Sequence, residues 1–103
     1  MIINLTPHTI NVNDGRSFPP SGQVARVTVS HLQVGMVDGI AIYQPTYGEL
    51  VGLPDPVDGT VYLVSGQVAA AAKRADVVAP ATGHGAAIRK DGQTVSVPGF
   101  SRG

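Results

Sequence analysis

Cysteine is absent from the 103 residues, which removes a disulfide framework, a thiolate zinc site and a cysteine nucleophile together. Tryptophan is missing as well, and two Phe and three Tyr are the only aromatic residues. Any core must therefore be built mainly from Val, Ile, Leu and Ala. Charge is scarce: 14% of residues are Asp, Glu, Lys or Arg, against about 25% in ordinary soluble domains. Seven basic residues balance seven acidic ones, so the electrostatic footprint required by a nucleic-acid backbone is lacking. Wholly apolar runs such as Val68 to Ala72 fall far short of the ~20 residues that span a bilayer. Met1-Ile2-Ile3-Asn4 has neither the basic region nor the apolar stretch of a secretory leader. These absences predict a cytoplasmic protein with no membrane and no nucleic-acid partner.

What is present points to a folded chain. A hydrophobic content of 43% with zero net charge is the opposite of a disordered composition. Residues 1–103 are expected to form a single domain, since a second core would have too few residues to close. A core this light is marginal at this size, which predicts a homo-oligomer that buries further apolar surface.

Thirteen Gly and eight Pro are spread over the chain and cut it into short segments, a pattern of short strands and tight turns. Thr9 to Asn13 alternates as a half-buried strand, and Asn13-Asp14-Gly15 supplies a hairpin turn. Val24 to Val29 alternates again after the turn at Pro19-Pro20-Ser21-Gly22. Ile40 to Tyr43 reads as a strand ended by Pro45, because proline lacks a donor and restricts the residue before it. Tyr47 to Pro54 reads as a glycine-interrupted strand or a loop over the core. Asp91-Gly92 joins Ala87–Lys90 to Gln93–Val97 as a closing hairpin, and Ser101-Arg102-Gly103 reads as a loose tail.

One segment has helical character. Ser65 is a strong N-cap type, the alanine-rich stretch 66–75 follows, and Lys73 and Arg74 suit the C-terminal end of a helix dipole. Val68, Ala71, Ala72 and Ala75 would form its apolar stripe. Strands at Thr60–Val64 and Asp76–Ala79 flank it. The fold class expected is α+β and β-rich, with five to seven short strands around one Ala-rich helix near 66–75, and a barrel-like sheet as one arrangement. Ser-Gly-Gln-Val-Ala occurs at both Ser21–Ala25 and Ser65–Ala69, but the flanks differ, and coincidence explains it better than an internal repeat.

If the strands flanking the helix are parallel, the helix start and the loop after the second strand share one carboxyl edge, where open α/β sheets bind ligands. That predicts a ligand-binding set of Ser65, Gly66, Thr82, Gly83 and His84, suited to a small anion such as a nucleotide. The plainer alternative is that Ser65 only caps the helix and the glycines only turn the chain. Neither a dinucleotide fingerprint nor a phosphate loop is present. His8, His31 and His84 are too far apart for a local metal motif, so no metal and no cofactor is expected. Ser65, His84 and Asp76 make a hydrolytic triad on paper only, because no nucleophile elbow surrounds Ser65. Glu49 is the sole glutamate, which excludes a paired-glutamate site. No catalytic residue is assigned.

Asn4-Leu5-Thr6-Pro7-His8-Thr9-Ile10, Pro20-Ser21-Gly22, Tyr47-Gly48 with Gly52-Leu53-Pro54, and Tyr62-Leu63-Val64-Ser65 with Asp76-Val77-Val78-Ala79-Pro80-Ala81-Thr82-Gly83 together resemble a group of short, uncharacterised proteins of tailed bacteriophages, prophages and some bacterial genomes that open on N-L-T-P-H-x-I. The resemblance spans nearly the whole chain and implies a phage-linked accessory protein of the host cytoplasm. Three functional expectations follow. The first is a non-enzymatic module that captures a small anionic ligand. The second is a phage structural or host-protein interaction module acting through an apolar interface. The third is a small hydrolase using a histidine.

Overall fold

The structure is a computed structural model that describes residues 1–103. At its centre is a four-stranded sheet of β1 (Ile2–Asn4), β6 (Val61–Leu63), β7 (Val77–Pro80) and β10 (Phe100–Arg102), in that order. β1 and β7 both run parallel to β6, and β10 is antiparallel to β7. Parallel neighbours need a crossover, and α1 (Gly66–Ala72) supplies the one between β6 and β7. Ser65 starts this helix in extended conformation, with its Oγ accepting from the Val68 N–H at 3.3 Å. Lys73 stops it in the left-handed region, where its N–H donates to the Ala69 carbonyl. The helix is thus shorter than the expected 66–75. Its last turn holds no basic residue, because Lys73 is already the cap and Arg74 turns away toward Asp76.

The core lies where α1 meets the sheet. Leu5, Ala25, Tyr62, Val64, Val68, Ala69, Val77 and Ala79 form one buried cluster, with Ile3, Val27, Leu50, Leu53 and Ala72 packed against it. Val68 and Ala69, rather than the predicted stripe ending at Ala75, are the helix residues fully covered. Leu63, between Tyr62 and Val64, points to the opposite sheet face and is also fully buried. Three antiparallel pairs complete the architecture. β2 (Ile10–Asn11) pairs with β3 (Ser17–Phe18), and β8 (Ile88–Lys90) with β9 (Gln93–Ser96) around a turn in which Asp91 and Gly92 both have positive φ.

The third pair departs furthest from the sequence expectations. β4 (Arg26–Val37) and β5 (Ile40–Val51) are each 12 residues long and form a separate two-stranded ribbon. Its turn is Asp38-Gly39, with φ of 50° and 77°, the positive pair that a tight two-residue hairpin requires. Pro45 does not end β5 but lies within it, opposite His31. A proline is tolerated there because a two-stranded ribbon is all edge. At the ribbon's base, Gly52 approaches the Val24 carbonyl so closely, at φ of 84°, that a Cβ would lie 2.5 Å from its oxygen. The protein is therefore α+β and β-rich, a single small domain with no closed barrel. It has ten strands rather than five to seven, two of them long. Ser101 and Arg102 are not a tail: they pair with Ala79 and Val78, while Gly103 lies against Ala69 of α1 with no room for a Cβ.

One ion pair ties the crossover to the loop before β6. Arg74 donates from Nε and Nη2 to the two carboxylate oxygens of Asp76, at 2.9 and 2.6 Å, and from Nη1 to the Pro54 carbonyl at 3.1 Å. The hydrogen bonds from Arg74 hold the Asp76 carboxyl below its ordinary value, outweighing the partial burial that opposes this. A carboxyl depressed in the folded state stabilises it above the unfolded pKa, and that contribution is lost as pH falls through the folded value. Asp76→Asn should therefore lower Tm at pH 7 by roughly 4 °C. The gap should narrow as the pH is taken down through and below the ordinary aspartate value of about 3.9, checked by thermal melts across that range.

Candidate functional site

The carboxyl ends of β6 and β7 lie side by side, because the two strands are parallel with Tyr62 opposite Val77 and Leu63 opposite Val78. This places the start of α1 and the loop after Pro80 on one edge, as the sequence predicts. Gly66, Thr82, Gly83 and His84 line an open depression of about 350 Å³ together with Ser101, Arg102 and Gly103. Ser65 is not among its lining residues. With Gly66 and Thr82 it borders a neighbouring hollow of about 420 Å³ that reaches Thr6, Pro7 and His8. The five predicted residues thus occupy one region but divide between two shallow depressions.

Reading Ser101 to Gly103 as a tail hid Arg102, the one charged residue on this rim. The apolar-polar alternation of Val97 to Arg102 is broken by Pro98 and Gly99, so only the pairing with β7 reveals that strand. The local hydrogen bonds use most of what the edge offers. Ser65 Oγ is occupied by Val68, and the Ala69 N–H donates to the Ser65 carbonyl. That leaves the amides of Gly66 and Gln67 as those of the first turn with no intrahelical acceptor. His84 Nδ1 accepts from the Ala86 N–H at 3.0 Å, so the neutral ring carries its proton on Nε2. Arg89 of β8 donates to the Thr82 carbonyl, and Asn13, in the turn after β2, donates to the Ala86 carbonyl, which ties the glycine loop at both ends.

The hydrolytic arrangement is not assembled. Asp76 stands just before the amino end of β7, about 13 Å along the strand from Pro80 at its carboxyl end, and Arg74 takes both of its carboxylate oxygens. His31 lies on the β4–β5 ribbon with its ring edge-on to Tyr43, far in sequence and fold from His84. No group of three His, Cys, Asp or Glu residues is placed to hold a metal ion.

The residues that open the chain have a plain structural use. Asn4 is buried, donates from Nδ2 to the carbonyls of His8 and Phe18 at 2.8 Å each, and accepts at Oδ1 from the Thr6 N–H and Thr6 Oγ1. Thr6 Oγ1 meets the His8 carbonyl in turn. This network folds Leu5 to His8 back on itself and binds it to β3, with Pro7 and His8 left exposed on the turn.

A second surface lies on the β4–β5 ribbon. Every residue from Ser30 to Ile40 and from Ile42 to Glu49 is exposed, although Leu32, Val34, Met36, Val37, Ile40, Ile42, Tyr43 and Tyr47 are among them. Cross-strand pairs Leu32–Gln44, Gly35–Ile42 and Val37–Ile40 share one ribbon face, and His31–Pro45, Gln33–Tyr43 and Met36–Ala41 share the other. Val34 is an extra residue, a bulge between Gln33 and Gly35. Asp38, at the tip, is the only charged side chain from Val27 to Gly48. The signal for this hairpin was Asp38-Gly39 between the apolar runs Val34–Val37 and Ile40–Tyr43, a strong short-range marker.

No protein-family model, curated protein or solved structure matches this chain. No helix is long and apolar enough to cross a membrane.

Asn4→Ala should unfold the protein more readily, by about 3 kcal/mol, because it removes four hydrogen bonds and leaves the buried Thr6 N–H without its acceptor. His8→Ala, on the exposed side of the same turn, should change stability by less than about 0.5 kcal/mol. Urea titration of both variants measures the contrast.

Proposed function

We propose that this protein is a non-enzymatic, phage-associated interaction module of the host cytoplasm, and that its working surface is the β4–β5 arm. The observation that carries this reading is the uncovered aliphatic surface of the distal arm, where Ile40 is 70% exposed and Leu32 and Met36 are each 61% exposed. Scattered exposed apolar residues need no explanation, whereas a contiguous patch on a protruding element marks an interface. Depletion of charge is the compositional sign of an interface centre, and between Val27 and Gly48 the arm carries one charge, Asp38 at its tip. The phage context rests on the opening pattern of residues 4–10 and the other quoted segments. The hydrolase reading loses its support, since its histidines are dispersed and Asp76 is engaged by Arg74.

Capture of a small anion at Gly66, Thr82, Gly83 and His84 is the second reading, and the position of Arg102 on the same rim favours it. It ranks below the first because α1 has seven residues and its cap occupies one of the free amides.

A photo-reactive side chain placed at Ile40 should form a discrete protein adduct in cells producing the chain, while the same group at the exposed Val57 should not. Absence of any adduct at Ile40 removes the interaction reading. Titration calorimetry with inorganic phosphate and a nucleotide panel should give no heat. Binding that disappears in Arg102→Ala would promote the anion reading instead.

A further inference from the structure

The arm presents a physical problem that the rest of the chain does not solve. An isolated two-stranded ribbon is marginally stable in water, and no third strand or helix covers its distal part. From Val29 to the Asp38-Gly39 turn it extends roughly 30 Å, in a molecule measuring 46 × 35 × 21 Å. The radius of gyration is 15.5 Å, against about 13 Å for a compact chain of this length. The accessible surface is 6737 Å², whereas a compact monomer of this mass exposes about 5,500 Å². The excess of roughly 1,200 Å² is more than the ~800 Å² that one partner contributes to a standard stable interface.

We infer that the arm's occupant is a second copy of this chain, whose own arm packs face to face against it through Leu32, Val37, Ile40 and Ile42. This rests on the reading of the arm as an interaction surface and specifies its partner. The two ends of the register place these four side chains on one face, with the small Gly35 between them. Two identical arms meet there without electrostatic penalty, because the chain has zero net charge and Asp38 stands at the tip outside the apolar face. A self-complementary patch also pairs by two-fold symmetry, each copy offering the same face to the other. A ribbon with no support in its own chain needs a partner wherever the chain is folded, and only another copy is always present at matching concentration.

The base of the arm belongs to the core through Val27 and Leu50, but its distal face does not. Substitutions on that face therefore test association without removing core packing. The purified full chain should sediment as a dimer or a larger even multimer at micromolar concentration. Leu32→Glu/Ile42→Glu should be monomeric, with the dissociation constant raised at least about 100-fold and the circular dichroism of α1 retained.

A second measurement holds even where that double variant folds poorly. The chain has no cysteine, so Ile40→Cys introduces a single thiol. Under mild oxidation it should form a disulfide-linked dimer much faster than Val57→Cys. A monomeric wild-type chain with equal oxidation of the two thiols would overturn the inference. If the Ile40 photo-adduct then still formed, with a different protein, the interaction reading would stand with another partner. With no adduct at all, both would fall.

Discussion

Apolar surface left in water is the constraint around which this protein is organised. Its sheet and single short helix bury Leu63, Val64, Val68 and Val77 almost completely, yet a comparable set of aliphatic side chains stands outside on the ribbon. Burial of apolar area contributes about 25 cal/mol per Å², so a face of this kind is costly to leave uncovered and favourable to cover. Nothing within the chain can cover it, since α1 and Leu53 reach only the base of the arm. The same constraint accounts for the light composition. A small Val, Leu and Ala core suffices when part of the chain's hydrophobic content is committed to contacts beyond it.

The compact part is held by backbone geometry more than by charge. β6 lies between β1 and β7, receiving and giving parallel ladder bonds on both sides, and Leu5 continues the pairing by donating to the Leu63 carbonyl at 2.8 Å. The Asn4–Thr6–His8 network then fixes the path from β1 toward β2. Arg74 and Asp76 fix the opposite end of the crossover. The carboxyl edge, at the other end of β7 from Asp76, is polar but shallow, and its hydroxyl, imidazole and loop carbonyls already serve neighbouring segments. An edge of that kind positions loops well whether or not a ligand visits it.

Local chemistry made the central unit legible in the sequence. Ser65 before an alanine run, flanked by Thr60–Val64 and Asp76–Ala79, carries its own cap, propensity and strand signals, and its length is compatible with a parallel crossover without requiring one. Asp91-Gly92 was legible for the same reason. The arm was not, because its strands do not obey the rule by which strands are recognised. A half-buried strand alternates polar with apolar residues, whereas Leu32 to Val37 and Ile40 to Tyr43 are apolar toward both faces and are interrupted by a bulge at Val34 and by Pro45. Proline and glycine read as punctuation there, although an edge ribbon accommodates both. β10 escaped notice because a three-residue strand after Pro98-Gly99 has no periodicity of its own and is created by pairing with β7. The opening Asn4-Leu5-Thr6-Pro7-His8 pattern was visible, but its meaning as a buried hydrogen-bond network depends on Phe18, which no local rule brings to Asn4.

The central claim, that the arm is held by association and not by its own chain, is tested most directly by amide hydrogen exchange of residues 29–47 measured over a range of protein concentrations. Protection of the Leu32 and Ile42 amides should rise steeply between about 1 and 100 μM and approach that of Leu63 in the central sheet. Fast exchange along the whole arm, unchanged over that range while Leu63 stays protected, would contradict it.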